Sequence, residues 1–367
     1  MPPSGLKTQN TADIASIRPI DCEIHPAVES MRTLLPYFDD HWREQVIIRG
    51  IDGLDSTSYP PSMRVNCRAD WRSASEMPAS TLETLRAQAL DPFGSRLAIC
   101  HCLYGVQSVY DENFAAALAR AINTWIQKEW LDREPRLRAS ITLPIQNPEF
   151  AVEEIERLAA DRRFVQVMVF AMGDMPLGRR FYWPIYEACA RHKLPLGIHA
   201  GSAFRHAPSC TGWPSYYLED YVSQAESFQA QLASLICEGV FAKYPALSVI
   251  MMESGFSWLP NFMWRSTKAW RAMRAEIPWV DRSPAEIVRQ HVRFTLQPSD
   301  EPPVAADLDR ILNQIGSDDA LLFSTDYPHW HFEGNDMLPA GLSPSMIKRI
   351  AIDNPRNAFP RLMEAVS

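Results

Sequence analysis

From residue 96 onward the chain alternates between two textures. Short apolar runs stand at 96–103 (R-L-A-I-C-H-C-L), 136–145, 164–170 (F-V-Q-V-M-V-F), 194–199, 247–253, 292–297 and 320–326 (A-L-L-F-S-T-D). Most give way to a longer stretch with apolar residues at helical spacing, as at Phe114, Leu118, Ile122, Trp125 and Ile126 in a helix predicted over 113–131. Further helices are expected at 149–161, 181–192, within 219–243, from 256, at 307–316 and at 344–354. An earlier run at 18–24 supplies an eighth strand. The runs are largely continuous instead of alternating, which is the pattern of parallel strands covered on both faces. Eight strands with intervening helices predict an α/β fold, a (β/α)₈ TIM-type barrel. An open doubly wound sheet is the alternative, but no glycine-rich dinucleotide turn follows a strand.

The stretch 26–95 breaks this regularity. It contains proline interruptions (Y-P-P-S, E-M-P-A-S) and one amphipathic piece at 28–50. A strand-to-helix connection of this length reads as an insertion at the barrel rim. The expected organisation is therefore one domain over 1–367, with a long insertion after the first strand.

Composition narrows the function. Among 367 residues, 46% are apolar and the net charge is −8, which argues against nucleic acid or an anionic membrane as partner. No window of about 18 uninterrupted apolar residues is present, and the first ten residues lack the apolar core of a signal peptide. The seven cysteines follow no disulfide framework, so they read as reduced thiols in a cytoplasmic protein.

The chemistry concentrates at strand ends. In R-P-I-D-C-E-I-H-P, Glu23 and His25 lie two apart at the end of a strand and so share a face. His199 ends the fifth strand and Asp326 the eighth, with Cys102, Gln146, Glu253 and Gln297 at other ends. In a barrel such ends converge on one mouth. Two carboxylates and two imidazoles make a mixed site for one divalent metal ion, zinc or manganese. Cys102 fits packing better than ligation.

Four segments, D-C-E-I-H-P, G-I-H-A-G, M-E-S-G-F-S-W-L-P and F-S-T-D-Y-P-H, together resemble the amidohydrolase superfamily. They look most like its amidohydrolase-2 branch, with the aminocarboxymuconate-semialdehyde and γ-resorcylate decarboxylases. The resemblance implies a distorted barrel whose metal is held by Glu23, His25, His199 and Asp326. It also implies that Asp326 handles a proton, with His199 and Glu253 as further catalytic groups. One position departs from the pattern: the sixth strand of relatives usually ends in a His, and here it ends in Glu253.

Substrate contacts are expected from the loop after the fifth strand, at Arg205, His206, Trp213 and Tyr217, and from His329 beyond Asp326. Aromatics and an arginine at a barrel rim suit a planar, anionic small molecule. The expected reaction is non-oxidative decarboxylation of an aromatic or unsaturated acid. Hydrolysis of an amide, lactone or C–C bond uses the same residues, and a non-catalytic binding barrel is the remaining reading. The tryptophan-rich text around 258–270 fits a homo-oligomer interface.

Overall fold

The computed structural model of the protein describes residues 11–54, 67–73, 76–202, 206–329 and 337–362. Eight parallel strands follow one another in chain order: β1 (Ile20–Ile24), β2 (Leu97–Cys100), β3 (Leu137–Thr142), β4 (Phe164–Met172), β5 (Leu196–Ser202), β6 (Val249–Met252), β7 (Val292–Thr295) and β8 (Leu321–Leu322). Parallel neighbours require crossovers, and helices Glu112–Trp125, Pro148–Leu158, Trp183–His192, Tyr217–Cys237, Leu259–Met273 and Ala305–Ile315 lie in the connections from β2 to β8. Local chemistry sets their starts. Asp111 and Asn147 each accept two backbone N–H groups at a helix N-terminus, and Ser283 with Glu286 forms a capping box before Pro284–His291.

Each strand divides its side chains between two apolar layers. Ala98, Val167, Val169, Val249 and Met251 pack outward against helix residues such as Leu118, Ile155 and Leu232. Ile99, Met168, Phe170, Ile250, Met252 and Leu322 fill the barrel interior. The C-terminal residues Phe359 and Leu362 join the interior layer. Arg361, wholly buried, donates to the carbonyls of His192 and Phe164 at 2.8 and 3.0 Å, at the end where β4 begins. The tail thus closes the floor and leaves the other end open to chemistry.

Two strands depart from the sequence reading in ways that matter. In β1 the pairing with β2 shifts between Asp21 and Ile24, a bulge that changes which face each residue takes. Ile20 and Cys22 point into the interior, whereas Ile24 belongs to the outer layer. The change of phase is what lets Glu23 and His25 face inward just after Cys22. β8, expected over 320–326, keeps only Leu321 and Leu322 paired with β7. Beyond them the chain turns to β1. Cys22 N–H donates to Phe323 O, Asp326 N–H to Glu23 O and His25 N–H to Tyr327 O, at 2.9, 3.1 and 2.7 Å. These bonds close the ring. The helix expected over 113–131 also divides, with regular turns to Trp125 and a wider turn over Ile126–Leu131.

The described part of 26–95 is partly helical, with Met31–Leu34, Asp40–Ile48 and Leu82–Leu85. It touches the mouth through Tyr327, whose hydroxyl donates to Gln88 at 2.7 Å and whose ring meets Trp71 edge-on at 4.9 Å. Among the described residues no helix is long and apolar enough to cross a membrane.

Candidate metal centre

The strand ends do converge. Glu23 and His25 arrive from β1, His199 from β5, Glu253 from the end of β6, and Asp326 and His329 from the segment after β8. Ligand atoms of Glu23, His25, His199 and Glu253 lie within 4.8 Å of one another, and so do those of His25, Glu253, Asp326 and His329. His199 Nε2 is 3.3 Å from Glu23 Oε1 and 3.3 Å from Glu253 Oε1. His25 Nε2 is 3.0 Å from Asp326 Oδ1, 3.7 Å from Glu253 Oε1 and 3.9 Å from Glu23 Oε1. His329 Nδ1 is 3.1 Å from both Glu253 Oε1 and Asp326 Oδ1.

Backbone carbonyls fix the imidazole tautomers. His25 Nδ1–H donates to His101 O at 3.1 Å, and His199 Nδ1–H donates to Ala200 O at 2.6 Å. In the neutral ring this leaves each Nε2 with its lone pair aimed into the cluster. Backbone orientation of the far nitrogen is how metal-binding histidines are usually held.

Several buried atoms at this point have no hydrogen-bond partner: both oxygens of Glu23, His199 Nε2 and Asp326 Oδ2. A buried carboxylate without hydrogen-bond partners costs several kcal/mol unless a cation compensates it. Lone-pair nitrogens and carboxylate oxygens gathered in two overlapping clusters that share His25 and Glu253 fit a divalent ion bound by nitrogen and oxygen donors.

With protons as the only cations, the cluster divides its charges unevenly. Burial raises the Glu23 carboxyl, and burial with the neighbouring Glu253 charge pushes Asp326 well above the usual carboxylate range. For Glu253 burial acts in the same upward direction, but His199 and His329 outweigh it and hold the group well below its ordinary value. Burial depresses His25. His199 and His329 resist the downward pull of burial because carboxylates surround them; His199 is held well above its ordinary value and His329 is raised to about 10.

Two of these residues have an uncommon backbone. Glu253 and Asp326 sit at φ +55° and +56°, in the left-handed region that side chains other than glycine seldom adopt. Strain of about 1–3 kcal/mol per residue persists where the surroundings over-determine the conformation, and such positions cluster at functional sites.

The remaining expected residues divide. His329 enters the cluster itself instead of standing beyond it. His206 pairs with Asp174 at 2.8 Å and lines a separate cavity of about 540 Å³, with Ala171, Met172, Glu226 and Gln231. Trp213 is half exposed and Tyr217 half-buried, its ring 6.1 Å from that of Tyr221. Arg205 lies outside the described residues. Cys102 is buried away from the cluster, with burial pushing its thiol up to about 12, and Gln146 binds the carbonyls of Val106 and Val109. Gln297 serves the loop after β7, donating to Met337 O and accepting from Ser299 N–H.

Sequence reasoning missed the polar scaffold beneath the cluster. His101 is wholly buried; its Nε2–H donates to Cys22 O, and its Nδ1 accepts from Ser140 Oγ, both at 2.8 Å. Ser140 in turn accepts from Gln166 at 2.9 Å. Burial drives His101 down to about 3, so it is neutral. It adjoins Cys102 at the end of a continuously buried run, which carried no signal to distinguish the two. Thr295, which accepts Glu253 N–H at 3.2 Å, had no sequence signal.

A closed parallel barrel with imidazoles and carboxylates gathered at its C-terminal mouth defines a metal-dependent barrel enzyme. The Amidohydrolase family model matches residues 20–361, and the chain belongs to that family. It is 27% identical over 268 residues to a γ-resorcylate decarboxylase from Polaromonas sp. strain JS666, covering 69% of this chain and 79% of that one. The fold is shared with the dihydroxybenzoic acid decarboxylase of Polaromonas sp. JS666, solved with manganese and 2-nitroresorcinol: TM-score 0.64 and 23% identity, covering 93% of this chain and 96% of that one. It is shared as well with 5-carboxyvanillate decarboxylase from Sphingomonas paucimobilis: TM-score 0.66 and 19% identity, covering 94% and 99%.

Proposed function

We propose that the protein is a manganese-dependent, non-oxidative decarboxylase of an aromatic acid. The observation that carries this reading is the gathering of Glu23, His25, His199 and Asp326 in two overlapping clusters that share His25 and Glu253, with both Glu23 oxygens and His199 Nε2 buried and without a hydrogen-bond partner. These four residues would hold the ion, which when bound supplies Lewis-acid polarisation of the substrate's oxygens. Asp326 is the proton donor. Its Oδ2 is buried and unpartnered, so it can carry a proton, and His329 holds the other oxygen. As the bond from ring carbon to carboxylate breaks, its electron pair stays on the ring, and the proton from Oδ2 takes the place of the departing carbon dioxide. Glu253 and His199 keep the neighbouring charge balanced through this transfer.

The rim residues Arg205, His206, Trp213 and Tyr217 are proposed to face the substrate's ring and its anionic groups. For His206 this requires release of Asp174. The segment 26–95 is read as the insertion that covers the mouth within a single domain of 1–367. Exposed Tyr216, Leu218 and Val222, close together in sequence, support association of copies of this chain. All seven cysteines are unpaired, which suits a reducing cytoplasm.

The test begins with elemental analysis of wild type, His199→Ala and Asp326→Ala. About one metal per chain is expected in wild type and far less in both variants. Manganese-loaded protein is then incubated with hydroxybenzoates, and carbon dioxide is measured. Metal binding without carbon dioxide release from any of them, together with turnover of an amide or lactone, would overturn the decarboxylase reading.

A further inference from the structure

We propose that Glu253 is itself a ligand of the metal, and that His329 is a positioning residue that fixes its carboxylate. The assignment rests on the reading of the barrel mouth as a metal site, and it adds a third carboxylate to that site.

The first argument is position. Glu253 Oε1 lies 3.3 Å from His199 Nε2 and 3.7 Å from His25 Nε2. Both nitrogens present lone pairs once their Nδ1–H groups are committed to backbone carbonyls. A carboxylate oxygen facing two lone pairs is repulsive unless a cation lies among them. Protons could remove that repulsion at both nitrogens only by placing two imidazolium rings with centroids 4.9 Å apart. A single divalent ion satisfies all three atoms at once. No buried arginine takes the place of such an ion beside Glu253 among the described residues. Among the described residues Glu253 forms ion pairs with His25, His199 and His329.

The second argument is the bracing of the backbone. The strained φ of Glu253 turns its side chain off the strand direction at the end of β6. Neighbouring elements hold that turn from several sides. Thr295 Oγ1, at the end of β7, accepts Glu253 N–H at 3.2 Å. Asp300, in the loop after β7, accepts Phe256 N–H at 2.9 Å and Ser257 N–H at 3.0 Å. Trp258 Nε1–H donates to Ser254 O at 2.9 Å. A side chain meant only to sit in a solvated mouth needs no such support, whereas a ligand held to a fixed geometry does.

His329 completes the arrangement. Its Nδ1 lies 3.1 Å from Glu253 Oε1 and from Asp326 Oδ1, and its ring stacks on His25 at 4.7 Å. One donor thereby holds two carboxylates at a common point. The end of β6 thus supplies a carboxylate, and the segment beyond β8 brings the imidazole that holds it. Three carboxylates with two imidazole ligands form a harder donor set, which favours manganese over zinc relative to a site with fewer carboxylates.

The test uses full-length protein stripped of metal and titrated with manganese chloride, free ion being read from its electron paramagnetic resonance signal. Wild type is expected to bind one manganese, Glu253→Gln to bind at least about 100-fold more weakly, and His329→Ala about 10-fold more weakly. His329→Gln, which keeps a donor, should recover most of the His329 loss. Manganese affinity of Glu253→Gln within twofold of wild type overturns the assignment and leaves the metal site and the decarboxylase reading intact. A crystal structure of manganese-loaded wild type decides the matter without any variant. A Glu253 oxygen within about 2.5 Å of the ion supports ligation, and one beyond 3.5 Å overturns it. Wild type that binds neither manganese nor zinc overturns the metal reading beneath both proposals. Ligation by Glu253 without carbon dioxide release from any aromatic acid sinks only the decarboxylase.

Discussion

Asp21 on β1 holds Thr325 across the closing seam of the barrel: Oδ1 accepts the Thr325 N–H at 3.0 Å and Oδ2 accepts its hydroxyl at 2.6 Å. Asp21 Oδ1 also accepts Glu23 N–H at 3.2 Å. A side chain therefore stands in for part of the backbone ladder where β8 is too short to pair fully. It does so between Glu23 on one side and Asp326 on the other.

Asp21→Asn exchanges one of these acceptor oxygens for an N–H₂ group that faces donors. The expected cost is about 1–3 kcal/mol of stability, read by urea denaturation. Manganese affinity should fall about 10-fold, because Glu23 and Asp326 lose their common brace. Thr325→Val, which removes only the hydroxyl, should cost about 1 kcal/mol. Unchanged stability and metal affinity in Asp21→Asn would show that the backbone bonds alone close the ring.

Gly197 has no room for a side chain. A Cβ there would meet Gln166 Nε2 at 2.4 Å and Met252 Cε at 2.8 Å, inside the barrel. Gly197→Ala displaces Gln166 from Ser140, and is expected to destabilise by about 1–3 kcal/mol. Gly53→Ala is the control: its nearest neighbour is the Tyr104 hydroxyl at 3.8 Å, so its effect should lie within about 0.5 kcal/mol. Equal melting temperatures for the two variants would contradict this picture of the interior.

Glu134 binds Arg136 Nε at 2.9 Å and Arg86 Nε at 2.7 Å while only 4% exposed. The Arg136 hydrogen bond, opposed by burial and aided by Arg86, holds its carboxyl at about 2, against an ordinary 4.5. A folded-state value below the unfolded one means the stabilisation is complete above pH 4.5 and disappears as pH falls through about 2. Glu134→Gln should cost about 1–2 kcal/mol at pH 7. The gap from wild type should narrow steadily below pH 4.5, as followed by urea denaturation. A gap of equal size at pH 7 and pH 3 would refute the charge-based account.

The barrel was legible because buried parallel strands leave continuous apolar runs: β2, β3, β6 and β7 fall within the predicted stretches, and β4 and β5 run two and three residues past theirs. The strand-end ligands were legible for the same reason, since a polar residue at the end of such a run has few other uses. What the pattern did not carry was phase and partnership. Nothing in I-D-C-E-I-H announces a bulge after Asp21, and without it Glu23 and His25 would share a face but not the interior one. His101 was overshadowed by Cys102, because a run of consecutive buried residues does not tell which of two neighbours points inward. His329 looked like a loop residue, because its role depends on Glu253, which lies 76 positions away.

The ligands come from opposite ends of the chain. Glu23 and His25 precede His199 by half the barrel, and Asp326 arrives only with the last strand. A growing polypeptide therefore cannot assemble this cluster until its final segment has been made and has met its first. An ion caught there acts as a clasp on the finished ring, so metal uptake reports that closure has occurred. Conversely, the ion's binding free energy opposes the seam's reopening and not just local motion around the ligands.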